Sequence, residues 1–466
     1  MVNFLIASED LIPDRLDAEF YKFQSDILTR RLNEYHWVED ITNLTEKITH
    51  LPGFLRDEFL IYVERGVPYL RQGNLSFYEG VDLSSDVVYI PKTVHEAFEV
   101  SKVKKNDVLL TVTGAYYGLA VPILNYSSEL NACPDVVIIR LNNESVSPAY
   151  LATFLNSKYG QIQLRKWNSG LSRPRILTQN VRKIKIPVPD SLHKKEVDNL
   201  IHQAYLEVIE AGEIYQEAEN ELLKILGFDI SELATASAQK TFSIDSTEIQ
   251  TSLRFDPSFH HIKFKLIDRR LDDIGGIDFQ ERIPISKERI NPQKGKLHDE
   301  IFKYIPISKL TKKGIITEWD EVIGWRAPSR AALLVHTGNV LIPTLKGTFE
   351  KISLVPEYLD GQVTTTGIIV AESKYYSPEV LFLLLRTRIY RDQLEKLTTG
   401  GIMSAVSQSD LDNIRVPSLD SEDQFRLANM VKRYFSLLYH SRTLVDDAIK
   451  SVENHIEGQV SDNTTE

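Results

Sequence analysis

The stretch 106–122, NDVLLTVTGAYYGLAVP, decides the fold, because its shape returns at 338–356 as GNVLIPTLKGTFEKISLVP. Each runs through an apolar segment, breaks at a glycine (Gly114, Gly347) and resumes toward Val-Pro. An apolar run bounded by turn residues reads as a buried strand. A pattern of this length repeated far along the chain points to internal duplication.

The match extends both ways. Upstream, RLDAEFYKF (15–23) is answered by RFDPSFHHIKF (254–264), and GVPYLRQGNL (66–75) by FKYIPISKLTKKG (302–314). Downstream, SPAYLATFLNSKYGQIQL (147–164) pairs with SPEVLFLLLRTRIYRDQL (377–394). Ser-Pro is a helix start, with serine at the cap and proline where its missing N–H costs nothing. A glycine (Gly170, Gly400) and an apolar strand ending in proline follow each helix, and the offset shrinks only from 239 to 230. The chain is a tandem duplication of a mixed α/β (α+β) domain.

Each copy then enters a long helix. Val197, Ile201, Ala204, Val208, Ala211, Tyr215, Ala218, Leu222 and Ile225 alternate in steps of four and three. Ala428, Val431, Phe435, Leu438, Arg442, Val445, Ile449, Val452 and Ile456 do the same, with Arg442 as one polar intruder. That spacing describes a coiled-coil seam, and two matched seams in one chain satisfy each other as an antiparallel, pseudo-twofold pair. Leu223, Leu427, Leu437 and Leu444 flank the seams and read as surfaces awaiting partners.

The expected division is a first domain at 1–190, a spacer helix at 191–227, a linker at 228–250, a second domain at 251–418, a second spacer helix at 419–458 and a disordered tail at 459–466. A helix over 196–226 would be about 46 Å long at ~1.5 Å per residue. That suits two sites about one DNA turn apart or a little more, ~34 Å per turn.

Composition is that of an ordinary soluble protein: 466 residues, 42% hydrophobic and 26% charged. The N-terminus lacks a signal-peptide pattern, and no apolar run is long enough to span a bilayer. The single cysteine, Cys133, excludes an intrachain disulfide and a cysteine-rich zinc site. A cytoplasmic location is the expectation. The net charge of −11 argues against nucleic acid only as a total, because residues 165–185 hold seven Lys or Arg and no acid.

Catalytic motifs are wanting. DPSF (256–259) is only loosely like a methyltransferase tetrapeptide and aligns with DAEF in the other copy; Asp17 recurs as Asp256, as a framework acid would. No P-loop occurs, and His260-His261 has no partner at metal spacing.

The order of strand, Ser-Pro helix, glycine loop, KIPVP-like strand and coiled-coil helix, all of it twice, resembles the specificity subunits of type I restriction–modification enzymes. The resemblance covers nearly the whole chain, and it rests on order and duplication because no single motif is specific. It implies two target recognition domains separated by two long antiparallel coiled-coil helices. It also implies a subunit without catalytic residues, metal or cofactor that reads a bipartite, asymmetric target in double-stranded DNA. Two methyltransferase subunits, carrying S-adenosylmethionine, would assemble on it, with ATP-dependent restriction subunits as further candidate partners and no membrane.

Residues kept between the copies are framework, whereas the side chains around the glycines differ. The expected DNA contacts are Thr113, Tyr116, Tyr117, Arg173 and Arg175 in the first copy. In the second they are Arg326, Arg330, Lys346, Thr348 and Ser404. Arg and Lys suit guanine edges, and others position the backbone. A coiled-coil adaptor that binds protein without reading DNA is the alternative, and the acidic balance favours it.

Overall fold

A computed structural model describes residues 27–462 except 84, 85, 115, 127, 143, 170–173, 253 and 400–403. The first copy's Arg-Leu-Asp segment (15–23), Arg173, Gly170 and Gly400 lie outside the described residues. The chain divides into two compact units, one of residues 1–209 with 437–466 and one of residues 210–436.

The first unit carries β1 (Val38–Asp40), β2 (Thr45–Thr49), β3 (Val67–Leu70), β4 (Val88–Ile90), β5 (Lys102–Val103), β6 (Asp107–Thr111), β7 (Ala120–Pro122), β8 (Leu130–Ala132) and β9 (Val136–Leu141). After them come α1 (Pro148–Asn156), α2 (Lys158–Lys166), β10 (Asn168–Ser169), β11 (Arg175–Ile176), β12 (Lys185–Pro187) and the long helix α3 (Ser191–Ile225). One sheet runs β4-β3-β8-β5 and another β2-β9-β6-β7. All residues of β6 and β7 are buried, Asp107 and Thr111 included.

The second unit repeats the plan with β13 (Ile277–Asp278), β14 (Ile301–Ile305), β15 (Asp320–Ile323), β16 (Ala331–Val335), β17 (Val340–Pro343), β18 (Ser353–Leu354), β19 (Gln362–Thr365) and β20 (Ile368–Ala371). It continues through α4 (Pro378–Arg386), α5 (Arg388–Leu397), β21 (Arg415–Val416) and the long helix α6 (Ser421–Asp462). Its sheets run β15-β14-β19-β16 and β18-β17-β20. The parallel pair β3–β8 has its counterpart in β14–β19. Ser147 and Ser377 cap α1 and α4 alike, each accepting a hydrogen bond from the amide three residues on, with proline next in line. In both units the first and last strands close the domain, β1 on β12 and β13 on β21. An ion pair crosses each closure, Lys185–Asp40 at 3.1 Å and Arg415–Asp278.

The two long helices pair antiparallel within each unit. In the first, Ser451 donates to Glu196 at 3.1 Å, His440 meets Glu207 at 2.8 Å, and His193 stacks on His455 at 3.9 Å. In the second, Arg433 reaches Glu210 at 3.0 Å and Arg426 pairs with Glu221. The first unit's α2 amide at Lys158 is capped by Glu453 of α6, whereas the second unit's α5 amide at Arg388 is capped by Glu219 of α3. The two long helices thus exchange roles between the units.

The helices do more than face each other. Val197, Ile201, Ala204 and Tyr205 join Val445, Ala448, Val452 and Ile456 in one core with the globular residues of the first unit. A stripe serving a helix and a domain must be wider than a two-position seam, which explains why Leu223, Leu427, Leu437 and Leu444 are buried rather than awaiting partners. The exposed apolar residues of these helices are instead Leu192, Leu206, Ile209 and Phe425. Arg442, the polar residue in the seam, lays its guanidinium 3.7 Å from the centre of the Tyr78 ring, and Tyr78 donates to Asp446 at 2.7 Å.

Two segments differ from expectation. Residues 228–250, expected as a linker, hold helices Ile230–Ala238 and Ser246–Ser252. Asp229 and Asp245 accept from amides two residues on at 2.7 and 2.8 Å, so the aspartates act as caps and not as loop residues. The tail expected to be disordered from 459 continues α6 to Asp462; a lone Gly458 costs a helix only about 1 kcal/mol, and no proline follows it. Among the described residues no helix is long and apolar enough to cross a membrane.

Candidate nucleic-acid interface

In the first unit β6 ends at Thr111, whose hydroxyl accepts from the Leu119 amide at 3.0 Å while its carbonyl accepts from Gly118 at 2.7 Å. These bonds close a tight loop. Gly114 adopts φ +77°, a left-handed conformation that glycine takes without strain. Its amide donates to the Pro174 carbonyl at 2.9 Å, and the Ile176 amide donates to Val112 at 2.8 Å. Thr113 is thereby zipped to Arg175. The Gln72 side chain donates to the Thr113 carbonyl from a third segment.

The second unit builds the same short ladder. The Lys346 amide donates to Ser404 and the Val406 amide to Thr344, both at 2.9 Å, with Leu345 bridged to Ala405. In this register Lys346 occupies the place of Gly114. The second glycine, Gly347 at φ +79°, sits one residue later, so the two turns are offset by one residue.

A cleft opens beside each ladder. In the first unit it is lined by His50, Val112, Pro134, Arg175, Ile176 and Thr178, with about 250 Å³ of space. An adjoining recess of about 270 Å³ adds Gly53, Arg56, Thr113 and Asp135. In the second unit a cleft of about 470 Å³ is lined by Lys287, Arg289, Thr344, Thr366, Val406, Ser407 and Gln408, over a floor that includes Leu333 and Ile368.

Strand register shows that these are the same place. Val136 pairs with Thr111 just before Val112, and Ile368 with Pro343 just before Thr344. Ile48 pairs with Ile139, and Ile285 with Ala371, each three residues further along that strand. Two residues beyond Ile48 and Ile285 stand His50 and Lys287. Two residues beyond Ile176 and Val406 stand Thr178 and Gln408. The backbone is shared while the lining side chains differ.

His50 meets the Thr178 hydroxyl at 2.9 Å. Burial, and then the positive charge of Arg175, hold its pKa below the usual imidazole range. The Thr113 hydroxyl is buried without a hydrogen-bond partner, an expensive arrangement unless something else satisfies it. The second cleft instead presents Lys287, Arg289, Ser407 and Gln408 as exposed side chains.

The expected contact residues are distributed unevenly around these clefts. Arg175 lines the first, and Thr113 its adjoining recess. Tyr116 projects from the loop tip, 66% exposed, whereas Tyr117 is half-buried and packs against the core. Lys346 and Ser404 meet through their backbones beside the second cleft. Thr348 donates its hydroxyl to the Leu345 carbonyl at 2.6 Å, which makes it a turn-forming residue. Arg326 lies over the exposed Trp325 ring at 4.4 Å, and the Arg330 carbonyl accepts from Thr366 at 2.9 Å at the cleft edge. His50, Arg56, Lys287 and Arg289 were missed, because they reach the clefts from segments far from the glycine loops, and Gln408 because it lies just past the second ladder. Aligning the chain ends of β2 and its counterpart, KITH with PISK, would have placed His50 beside Lys287.

Elsewhere the polar groups serve the framework. Arg254 holds Asp256 through two hydrogen bonds of 2.7 and 3.0 Å and lowers its pKa. Cys133 is buried, which pushes its thiol up to about 11. His95, Glu96 and Glu129 have ligand atoms within 4.8 Å of one another, but Lys92 engages Glu129 and Lys102 engages Glu96.

Among solved structures, the chain is similar to the HsdS subunit from Thermoanaerobacter tengcongensis at 13% identity, over 91% of this chain and 97% of that one, with a TM-score of 0.29. It is similar to a type I restriction–modification system S subunit from M. genitalium at 14% identity, over 91% and 94%, with a TM-score of 0.30. A chain of a type I R-M system whose complex assembly and conformational transition were studied is 12% identical over 91% and 96%, with a TM-score of 0.28. No family model matches, and no curated protein does. With TM-scores this low, the weight falls on the two clefts.

Proposed function

We propose that this chain is the non-catalytic specificity subunit of a type I restriction–modification system and reads a bipartite target in double-stranded DNA, one word in each unit. The observation that carries the reading is the recurrence of one cleft, at one strand register, with unlike side chains around it. Duplication that keeps a ligand would keep its contacts; duplication that keeps the frame and changes the contacts suits two words of one polymer. Base edges in the major groove are told apart by donor and acceptor pattern, so changing Lys, Gln, Thr or His on a fixed frame changes the word. Arg330, exposed at the edge of the second cleft, and the exposed Arg326 suit phosphate positioning. The paired helices would set the gap between words.

Methyltransferase subunits with S-adenosylmethionine are the partners this reading requires, since a reader without catalytic groups needs an enzyme that takes the target base out of the stack. ATP-dependent restriction subunits would join in a system that cuts. Exposed Leu192, Leu206, Ile209 and Phe425 on the helices are surfaces such partners could cover.

Salt dependence of duplex binding tests the reading against the adaptor alternative. About four phosphate contacts, two per unit, give a log–log slope of about −3.6 and roughly a 150-fold loss of affinity over a fourfold rise in salt. Binding of the full chain that is absent, or flat with salt, would favour the adaptor.

A further inference from the structure

We propose that two pairs of matched positions, His50 with Lys287 and Thr178 with Gln408, determine which bases each unit accepts. This rests on the DNA-reading function above and assigns it to particular side chains. Both pairs follow from register, and all four side chains line the clefts. Within the first unit His50 and Thr178 touch, so the two positions form one surface.

The chemistry offered differs between units. The second cleft presents an ammonium at Lys287, a guanidinium at Arg289 and an amide at Gln408, all exposed. Lysine and arginine suit the paired acceptors of guanine, and glutamine suits the donor–acceptor pair of adenine. The first unit replaces the ammonium with an imidazole already bonded to a hydroxyl, and the amide with that hydroxyl. It adds the Arg175 guanidinium, where the second unit has Ala405, and the partnerless Thr113 hydroxyl, where the second unit has Leu345. Thr113 lines the recess beside Arg175, so a threonine replaces a leucine at that place in the frame. The second word therefore contains a guanine read at Lys287 and an adenine read at Gln408, and the first word a different pair.

The test is selection of duplexes from a randomised pool by the full chain. Unaltered protein should enrich two words. Gln408→Ala should reduce the preference for one adenine in one word by ~5- to 150-fold, the worth of a bidentate base contact, and leave the other word intact. The double change Lys287→His with Gln408→Thr should move that word toward the other unit's preferences at the same two places. Both side chains are exposed, so folding is not at stake. Two words that persist unchanged in the variants, or that weaken equally, overturn the assignment while leaving the DNA-reading function standing. No enriched word with unaltered protein overturns that function, and the assignment with it.

Discussion

Arg386 is the residue whose loss should be felt most sharply in the second unit. It ends α4, and its guanidinium donates to three carbonyls: Glu350 at 2.9 Å, Ile352 at 2.8 Å and Lys312 at 2.6 Å. Its Nε also reaches the Tyr215 hydroxyl at 3.3 Å, and its plane lies 5.0 Å from the Phe382 ring centre. The segment it pins, 350–352, directly follows the turn of Lys346 and Thr348 beside the cleft. At the matched place in the first unit, Asn156 does a smaller version of the same work, donating to Ala120 at 2.7 Å and Ala152 at 2.8 Å. Arg386→Met keeps the aliphatic stem and removes the donors. Three charge-assisted bonds at ~1.5 kcal/mol each total about 4.5 kcal/mol, and relief from desolvating a partly exposed cation trims this to about 3 kcal/mol. With a urea slope of ~2–3 kcal/mol per molar, the midpoint of the second unit should fall by about 1–1.5 M. Hydrogen exchange read by mass spectrometry along a urea series separates the units, with peptides from 27–209 as internal control. A midpoint shift below about 0.3 M, well under the ~1 M expected, with exchange at 312 and 350–352 unchanged, would refute the reasoning.

Three further outcomes are expected. Asp107 is fully buried and takes two 2.7 Å bonds from Arg140 on the neighbouring strand and one from the Lys104 amide, so Asp107→Ala should cost the first unit about 2–3 kcal/mol in a denaturant titration, with the partly exposed guanidinium left to water. Ser147→Ala and Ser377→Ala each remove a helix cap and should cost about 1 kcal/mol; Ser147→Ala should cost more, because its hydroxyl also meets Asp198. The stacked pair His193 and His455, and His50, all have pKa values lowered first by burial, with Asp190 and Glu196 facing the pair and His36 adding to the lowering at His455. Their contribution is complete above the ordinary imidazole pKa and is lost as pH falls through the depressed folded values, so the first unit's urea midpoint should drop on acidification below about pH 6.5. His336 in the second unit acts in the opposite sense, since its bond to Glu288 raises its pKa; the pair is about half exposed, so the effect is small.

Much of the architecture could be read from the sequence because duplication supplies its own control. Strands at 107–111 and 340–343, capped helices at 148 and 378, and matched long helices all rest on local patterns that survive in both copies. The helices also pack on the globular cores, which the spacing offered only as the alternative to a seam, because a seam written at steps of three and four looks complete without its flanks. Leu444 only makes sense once the domain beside it is known. Caps at Asp229 and Asp245 lay inside an Ala/Ser/Thr-rich run whose composition imitates a linker. The site was the least legible part. Arg175 and Thr113 neighbour the glycine loop and line the first cleft and its recess, but His50 and Lys287 arrive from across an intervening strand. Thr348 looked like a contact residue, and its hydroxyl is spent on its own turn.

Selection from a randomised duplex pool with the unaltered full chain bears most directly on the idea that one duplicated frame reads two words. Two separate enriched words of unlike sequence at a fixed spacing are expected, both required for retention. A single continuous word, two identical words, or free variation in their spacing would contradict it.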